Sequence, residues 1–242
     1  MDLKKHIRSI PDYPKKGILF RDITTLIKNA EAFKFTNDKI IEIAKKIEFD
    51  KVAAIESRGF VFASTISYLL KKHIRSIPDY PKKGILFRDI TTLVKNAEAF
   101  KFTNDKIVEF AKKIKFDKIA AIESRGFIFA STVSYQLKKP FILLRKKNKL
   151  PAETHSIDFE LEYGKATIEV HKDSIEKNEK ILIIDDLIAT GGTAEAAAKL
   201  VEISGGEVAA FIFVINLFDL PGNDLLKKKG YKTASLIEFP GH

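Results

Sequence analysis

The chain predicts an α/β fold in which a parallel sheet is flanked by helices, preceded by a partial copy of its own amino-terminal part. Three observations carry that expectation. Short apolar runs rich in β-branched residues alternate with helix-like periodic segments through 118–237. One run, Ile181 to Ile184, leads through Asp185 and Asp186 into the loop Ala189, Thr190, Gly191, Gly192 and Thr193, then into the helix formers Ala194 to Leu200. Residues 3–69 recur at 70–136 with eight differences, six of which exchange one hydrophobe for another.

The elements follow in order from the second copy. Ser76 to Phe87 holds Pro78, Pro81 and Gly84 and is expected to be irregular. Ala97 to Lys115 has helical periodicity, Lys118 to Ile122 reads as a short buried strand, and Gly126 to Leu137 as a small-residue helix. Phe141 to Arg145 is a strand, and Lys146 to Glu153 a polar loop. Ala166 to His171 alternates like a strand. Lys180 to Ile184, Glu207 to Asn216 and Thr233 to Ile237 are further strands, with helices at Thr193 to Ser204 and Gly222 to Lys229. Such alternation places ligands at the carboxyl ends of the strands.

Only the second copy runs on into the remainder, through Leu137, Lys138, Lys139 and Pro140. After Leu70, Lys71 and Lys72 the segment restarts at His73. Residues 70–242 therefore read as one complete unit and 1–69 as an incomplete extra piece. Two copies are too few for a solenoid. The strand Val52 to Ile55 and the helix Phe60 to Leu70 of the extra piece still need burial, as an added β–α layer or by exchange between subunits.

At 242 residues, with 45% hydrophobic and 31% charged residues, the chain has enough apolar material for a core. It has no cysteine, hence no disulfide and no thiolate nucleophile or metal site. No apolar run approaches membrane-span length, and Met1 to His6 leads into no apolar signal region, so a cytoplasmic location is expected. The net charge of +10 suits polyanionic small substrates as well as nucleic acid. No histidine or cysteine cluster has transition-metal spacing.

A strand, a small-residue loop and a helix amino terminus together make an anion site, because loop N–H groups and the helix dipole converge on one point. Glycine lets backbone approach a phosphate closely. Asp185 and Asp186 would repel that phosphate but can accept hydrogen bonds from neighbouring hydroxyls, or hold hydrated Mg²⁺. Diol acceptors beside a phosphate cradle describe a sugar phosphate. Neither Gly-Lys-Ser/Thr nor a G-x-G-x-x-G fingerprint is present.

This strand, Asp-Asp and Thr-Gly-Gly-Thr arrangement resembles the phosphoribosyl-diphosphate signature of type I phosphoribosyltransferases. Ile74 to Pro81, Gly84 to Ile90, Glu123 to Phe127, Arg145 to Pro151, Leu161 to Gly164 and Phe239 to His242, in that order, resemble the adenine phosphoribosyltransferases. The resemblance covers essentially all of 70–242 and implies a type I phosphoribosyltransferase-like sheet with a small amino-terminal hood. It implies transfer of phosphoribose from phosphoribosyl diphosphate to adenine, giving AMP and pyrophosphate, with Mg²⁺ held by substrate and water, in a homodimer. It implies that Phe87 stacks on adenine, Leu217 packs the opposite face, and the backbone at Leu86 and Arg88 reads the base edge. Ser124 and Arg125 would hold pyrophosphate, as would Arg145, Lys146 and Lys149 from a mobile loop. Glu162 would accept the adenine proton, Asp185 and Asp186 the ribose hydroxyls, and Ala189 to Thr193 the phosphate. Xanthine or hypoxanthine as the base, and a donor-sensing regulator that binds nucleic acid, are the alternatives. The added segment copies the hood rather than a DNA-binding module, which argues against the regulator.

Overall fold

The computed structural model describes residues 1–44, 75–80, 82–161 and 164–241. The strand and helix expected at 52–55 and 60–70 lie outside them. The main sheet has seven strands: β5 (Lys118–Ile122), β6 (Phe141–Lys146), β7 (Thr154–Leu161), β8 (Gly164–His171), β9 (Lys180–Ile188), β10 (Glu207–Leu217) and β11 (Thr233–Phe239). Their spatial order is β11-β10-β9-β5-β6-β8-β7. The run from β11 to β6 is parallel, whereas β7 and β8 form an antiparallel hairpin on its edge.

Alternation along the parallel strands makes two apolar layers. Ile119 and Ala121, Phe141 and Leu143, Leu182 and Ile184, and Ala210 and Ile212 face one layer. Their sequence neighbours Ala120, Ile142, Ile183 and Phe211 face the other, under α6 (Gly192–Ile203) and α7 (Gly222–Lys228). The first layer is closed by α5 (Gly126–Leu137), with α4 (Ala97–Ala111) on one flank and α2 (Ala30–Ala44) on the other. Phe100 on α4 meets Phe129 at 5.9 Å between ring centroids, and Phe33 on α2 meets Phe141 at 6.5 Å.

Four expectations change. The hood is not irregular: β3 (Arg75–Ile77) pairs antiparallel with β4 (Phe87–Asp89), and Pro78 falls after β3, where it removes no ladder donor. β7 was invisible in sequence, since Ser156 and Asp158 face solvent and its hydrophobic signal is half that of a buried strand. β9 continues to Ile188, so Asp185 and Asp186 lie inside the strand, with Asp185 opposite Phe213. α4 ends at Ala111 rather than Lys115, because the N–H groups of Lys113 and Ile114 bond three residues back and tighten the last turn. Phe116 then returns to the core at 6% exposure.

The first copy repeats the hood as β1 (Arg8–Pro11) and β2 (Leu19–Asp22), followed by α1 (Thr24–Lys28) and α2. In the second copy α3 (Thr91–Val94) and α4 take the same places. In each hairpin an aspartate in the left-handed region, Asp12 or Asp79, accepts the N–H of Gly17 or Gly84.

Candidate active site

A cavity of about 360 Å³ opens at the carboxyl ends of β5 and β9. Its walls are Glu123 to Arg125 after β5, Asp185 to Ile188 on β9, and the loop Ala189 to Thr193 entering α6. The strand ends and the amino terminus of α6 thus converge as the sequence requires. Ser124, Arg125, Asp185, Asp186, Ala189, Thr190, Gly191, Gly192 and Thr193 are all brought together here.

Gly191 caps α6 with φ +93°, a conformation open to glycine. Its second constraint was not legible in the sequence. A Cβ on Gly191 would meet the Gly222 Cα at 2.8 Å, and one on Gly222 would meet the Ala189 carbonyl oxygen at 2.4 Å. The Gly222 N–H also donates to that oxygen at 2.9 Å. Valine at 191 would therefore break the loop against α7, rather than merely fill the approach of a phosphate. Gly126 has a similar part, since a Cβ there would lie 2.8 Å from Asp185 Oδ1.

Asp186 is 4% exposed, and its Oδ2 lies 3.1 Å from the Arg125 guanidinium. That contact lacks hydrogen-bond geometry, so the buried Oδ2 remains an acceptor with no hydrogen bond of its own. Asp185 Oδ1 accepts the Asp186 N–H at 2.9 Å. Burial and then repulsion from Asp186 push the Asp185 carboxyl well above the ordinary carboxylate range. Burial also raises Asp186, but Arg125 opposes the rise. Arg125 therefore favours the charged form of Asp186 over that of Asp185. Among the described residues no group of three or more His, Asp or Glu forms a metal cage. Two carboxylates with a spare acceptor suit a cation that arrives on a polyphosphate with its own water.

Arg125 also links the cavity to the hood. Its guanidinium lies 5.2 Å from the centroid of Phe87, and it donates to the Arg88 carbonyl at 3.4 Å. The Arg88 side chain, 6% exposed, turns the other way. It donates to Ser76 Oγ at 2.5 Å and to the Pro240 carbonyl at 2.7 Å, and lies 4.6 Å from the Phe239 ring. Leu86 precedes Phe87 at the hood strand, and Leu217 closes β10 opposite Phe239. The hood, Leu217 and the carboxyl-terminal residues therefore meet around Phe239.

Three expected cations are not brought into the cavity. Arg145 points inward from β6 at 5% exposure, where it donates to both carboxylate oxygens of Glu123 at 3.1 and 3.2 Å and to the Lys149 carbonyl. Being buried, the guanidinium needs a carboxylate, and Glu123 supplies it. Lys146 and Lys149 are exposed and outside the cavity lining; the Lys146 backbone N–H joins the same Glu123. Glu123, which the sequence reading left without a role, thus ties the cavity wall to β6. Glu162 lies outside the described residues.

A family model described as a phosphoribosyl transferase domain matches residues 88–240. Adenine phosphoribosyltransferase of Pelagibacter ubique is 74% identical over 173 residues, covering 72% of this chain and 99% of the relative. That of Nitrosomonas europaea is 51% identical over 170 residues, covering 70% of this chain and 98% of the relative. The crystal structure of adenine phosphoribosyltransferase from Thermoanaerobacter pseudethanolicus superposes with a TM-score of 0.66 at 48% identity, over 69% of this chain and 95% of that one. The Saccharomyces cerevisiae enzyme, complexed with an imino-altritol bisphosphate and adenine, gives 0.62 at 34% identity over 68% and 94%.

Proposed function

The chain belongs to the adenine phosphoribosyltransferases of the phosphoribosyl transferase family, and from that premise we infer that it converts adenine and phosphoribosyl diphosphate to AMP and pyrophosphate. The observation that carries the reading is the single cavity wall joining Asp185 and Asp186 to the Gly191–Gly192 helix entry and, through Arg125, to the Phe87 hood. The amino terminus of α6 and the loop N–H groups take the 5-phosphate. Asp186 Oδ2 and Asp185 accept the ribose hydroxyls, and their charge faces the ribose as positive character develops on it.

Ser124 and Arg125 take the pyrophosphate of the donor. Engaging pyrophosphate draws the guanidinium from Asp186 and from the face of Phe87, which frees the carboxylate for ribose and the ring for adenine. Adenine N9 then bonds to the anomeric carbon as the bond to pyrophosphate breaks, and the N9 proton passes to a carboxylate, the role we assign to Glu162. Leu86, Arg88 and Leu217 define the base pocket from the hood and β10. Arg145 holds Glu123 and so shapes the wall; Lys146 and Lys149 meet the pyrophosphate only if the turn carrying them moves. The family resemblance implies Mg²⁺ with the donor, and when bound it would neutralise charge on the departing pyrophosphate oxygens. Asp185 and Asp186 are the residues that would hold it, through its water.

No described helix is long and apolar enough to cross a membrane; with the cysteine-free composition this supports a cytoplasmic enzyme. We propose that 70–242 is the working unit, with its own copy of the hood. Absorbance assay of the purified chain with donor, Mg²⁺ and each of adenine, hypoxanthine and xanthine tests the reading. AMP is expected from adenine alone. Turnover of hypoxanthine or xanthine in preference to adenine overturns it.

A further inference from the structure

Phe239 ends β11, and with Pro240 and Gly241 it lies on the turn that follows β10. Phe239 pairs with Leu217 in the sheet register, and its carbonyl accepts the Phe218 N–H at 3.1 Å. The Leu220 N–H closes the turn on the Leu217 carbonyl at 3.0 Å, and Asp219 Oδ1 accepts the Gly241 N–H at 2.6 Å. A Cβ on Gly241 would stand 2.9 Å from Leu220 Cγ, so the segment lies flat on the turn.

The same segment is anchored to the hood by Arg88, which donates to the Pro240 carbonyl and faces the Phe239 ring. No carboxylate among the described residues pairs with this buried guanidinium, and its Nε has no hydrogen-bond partner. Burying a cation on a carbonyl, a hydroxyl and a ring is costly, and the hairpin does not require it. Arg21, its equivalent in the first copy, keeps the serine contact and stays exposed. That hood is seated elsewhere, against β6, α5 and the turn after β8, where Arg8 reaches Asp173. The burial of Arg88 therefore belongs to its hold on Phe239 and Pro240, not to hairpin folding.

Phe87 and Leu217 are the two faces assigned to the base slot, and each is the chain neighbour of one anchor point. A segment tied to both Arg88 and Asp219 sets the distance between those faces. Arg125 also bonds this hairpin, at the Arg88 carbonyl, but pyrophosphate engages that guanidinium. We propose that Arg88, through its side chain, and Asp219 are positioning residues for the purine. Acting through Phe239–Gly241, they keep the hood in register with β10 while Arg125 holds the donor. The phosphate loop has its own support, the Gly222 N–H on the Ala189 carbonyl, so donor binding is independent of them. Both roles rest on the base pocket assigned above.

Initial rates with purine and donor varied in turn test the two roles. Asp219→Ala, at an exposed turn, should raise the purine KM about threefold and leave kcat and the donor KM unchanged. Asp219→Asn, whose amide oxygen still accepts the Gly241 N–H, should match the unaltered chain. Arg88→Met keeps the side-chain length without its donors and should raise the purine KM about tenfold. Because both anchors act on one segment, adding Asp219→Ala to Arg88→Met should change little, whereas independent effects would multiply to about thirtyfold. The proposal is overturned by an active Asp219→Ala chain with the unaltered purine KM, by an equal rise in the donor KM, or by a loss confined to kcat. Impairment of Asp219→Asn equal to that of Asp219→Ala, or effects that multiply, also overturns it. Should Arg88→Met fail to fold, the two Asp219 variants decide alone. The acceptor in every assay is the purine that the unaltered chain turns over fastest. A base other than adenine thus overturns the reading above and leaves this test standing.

Discussion

The two hoods fold alike and sit differently. Arg8 bonds Asp22 at 3.0 Å as Arg75 bonds Asp89 at 2.8 Å. Arg21 and Arg88 each donate to their hairpin serine at 2.5 Å, and Tyr13–Phe20 and Tyr80–Phe87 meet edge to face at 5.2 and 5.1 Å. Every one of these contacts is short-range in sequence, so an identical sequence rebuilds them wherever it lies. Burial is what differs. Arg88 is 6% exposed beneath the carboxyl terminus while Arg21 is exposed, and Arg8 is largely covered while Arg75 is not. Local structure belongs to the segment; chemical role belongs to the surface that receives it.

The comparison can be pressed first where neither copy contributes. Asp185 and Asp186 lie outside the repeat, so Asp185→Asn with Asp186→Asn should lower adenine turnover by about 10³-fold whichever hood is used. Near-normal kcat in that double variant would remove the pair from the reaction. Next comes the buried arginine. Arg88→Ala strands the Pro240 carbonyl and Ser76, and should cost about 2 kcal/mol in urea unfolding. Arg21→Ala should stay within about 0.5 kcal/mol. Equal losses would mean that the two environments are energetically the same.

The stacking ring gives a third contrast. Phe87→Ala should raise the adenine KM about tenfold, the scale of one base–aromatic contact, and Phe20→Ala should leave it unchanged. A rise with Phe20→Ala would move the working hood to the first copy. The smallest effect is a pH effect on the seat of 1–44. Burial lowers the His171 pKa; Asp22 and Asp173 oppose this, while Arg8 and Lys28 reinforce it. The neutral ring accepts the Ala152 N–H at Nε2, which protonation forbids. A lowered folded pKa means that the unseated state binds the proton more readily. The seat should therefore be fully stable above the ordinary histidine pKa and loosen as pH falls below it. Hydrogen-exchange protection in 24–38, corrected for the intrinsic rate at each pH, should fall over that range, and His171→Gln should abolish the dependence.

Much of this was legible from residues alone, for a physical reason. β5, β9 and β10 are buried on both faces and read as unbroken apolar runs, and Ala189 to Thr193 can only be a tight turn into a helix. The rest depends on partners distant in sequence. Arg145 begins a basic run that looks solvated, yet its carboxylate is Glu123, 22 residues earlier, across the β5–β6 pair. Gly126 and Gly222 look like ordinary helix starts; the atoms they make room for, at Asp185 and Ala189, belong to other elements. The hood strands were masked by prolines that fall between them.

The two seats also come into being at different moments of synthesis. The one under residues 1–44 needs only β6, α5 and the chain to residue 174, whereas the hood seat of the second copy needs β10 and Phe239. At roughly 5–20 residues per second the ribosome separates these events by about 3–13 seconds. Both hoods are already made by then, but only six residues join α4 to β5, so the second is tethered beside its eventual place. The first, farther from β5 in sequence, meets the earlier vacancy. Order of emergence thus sorts two interchangeable parts into different positions with no difference between them to read.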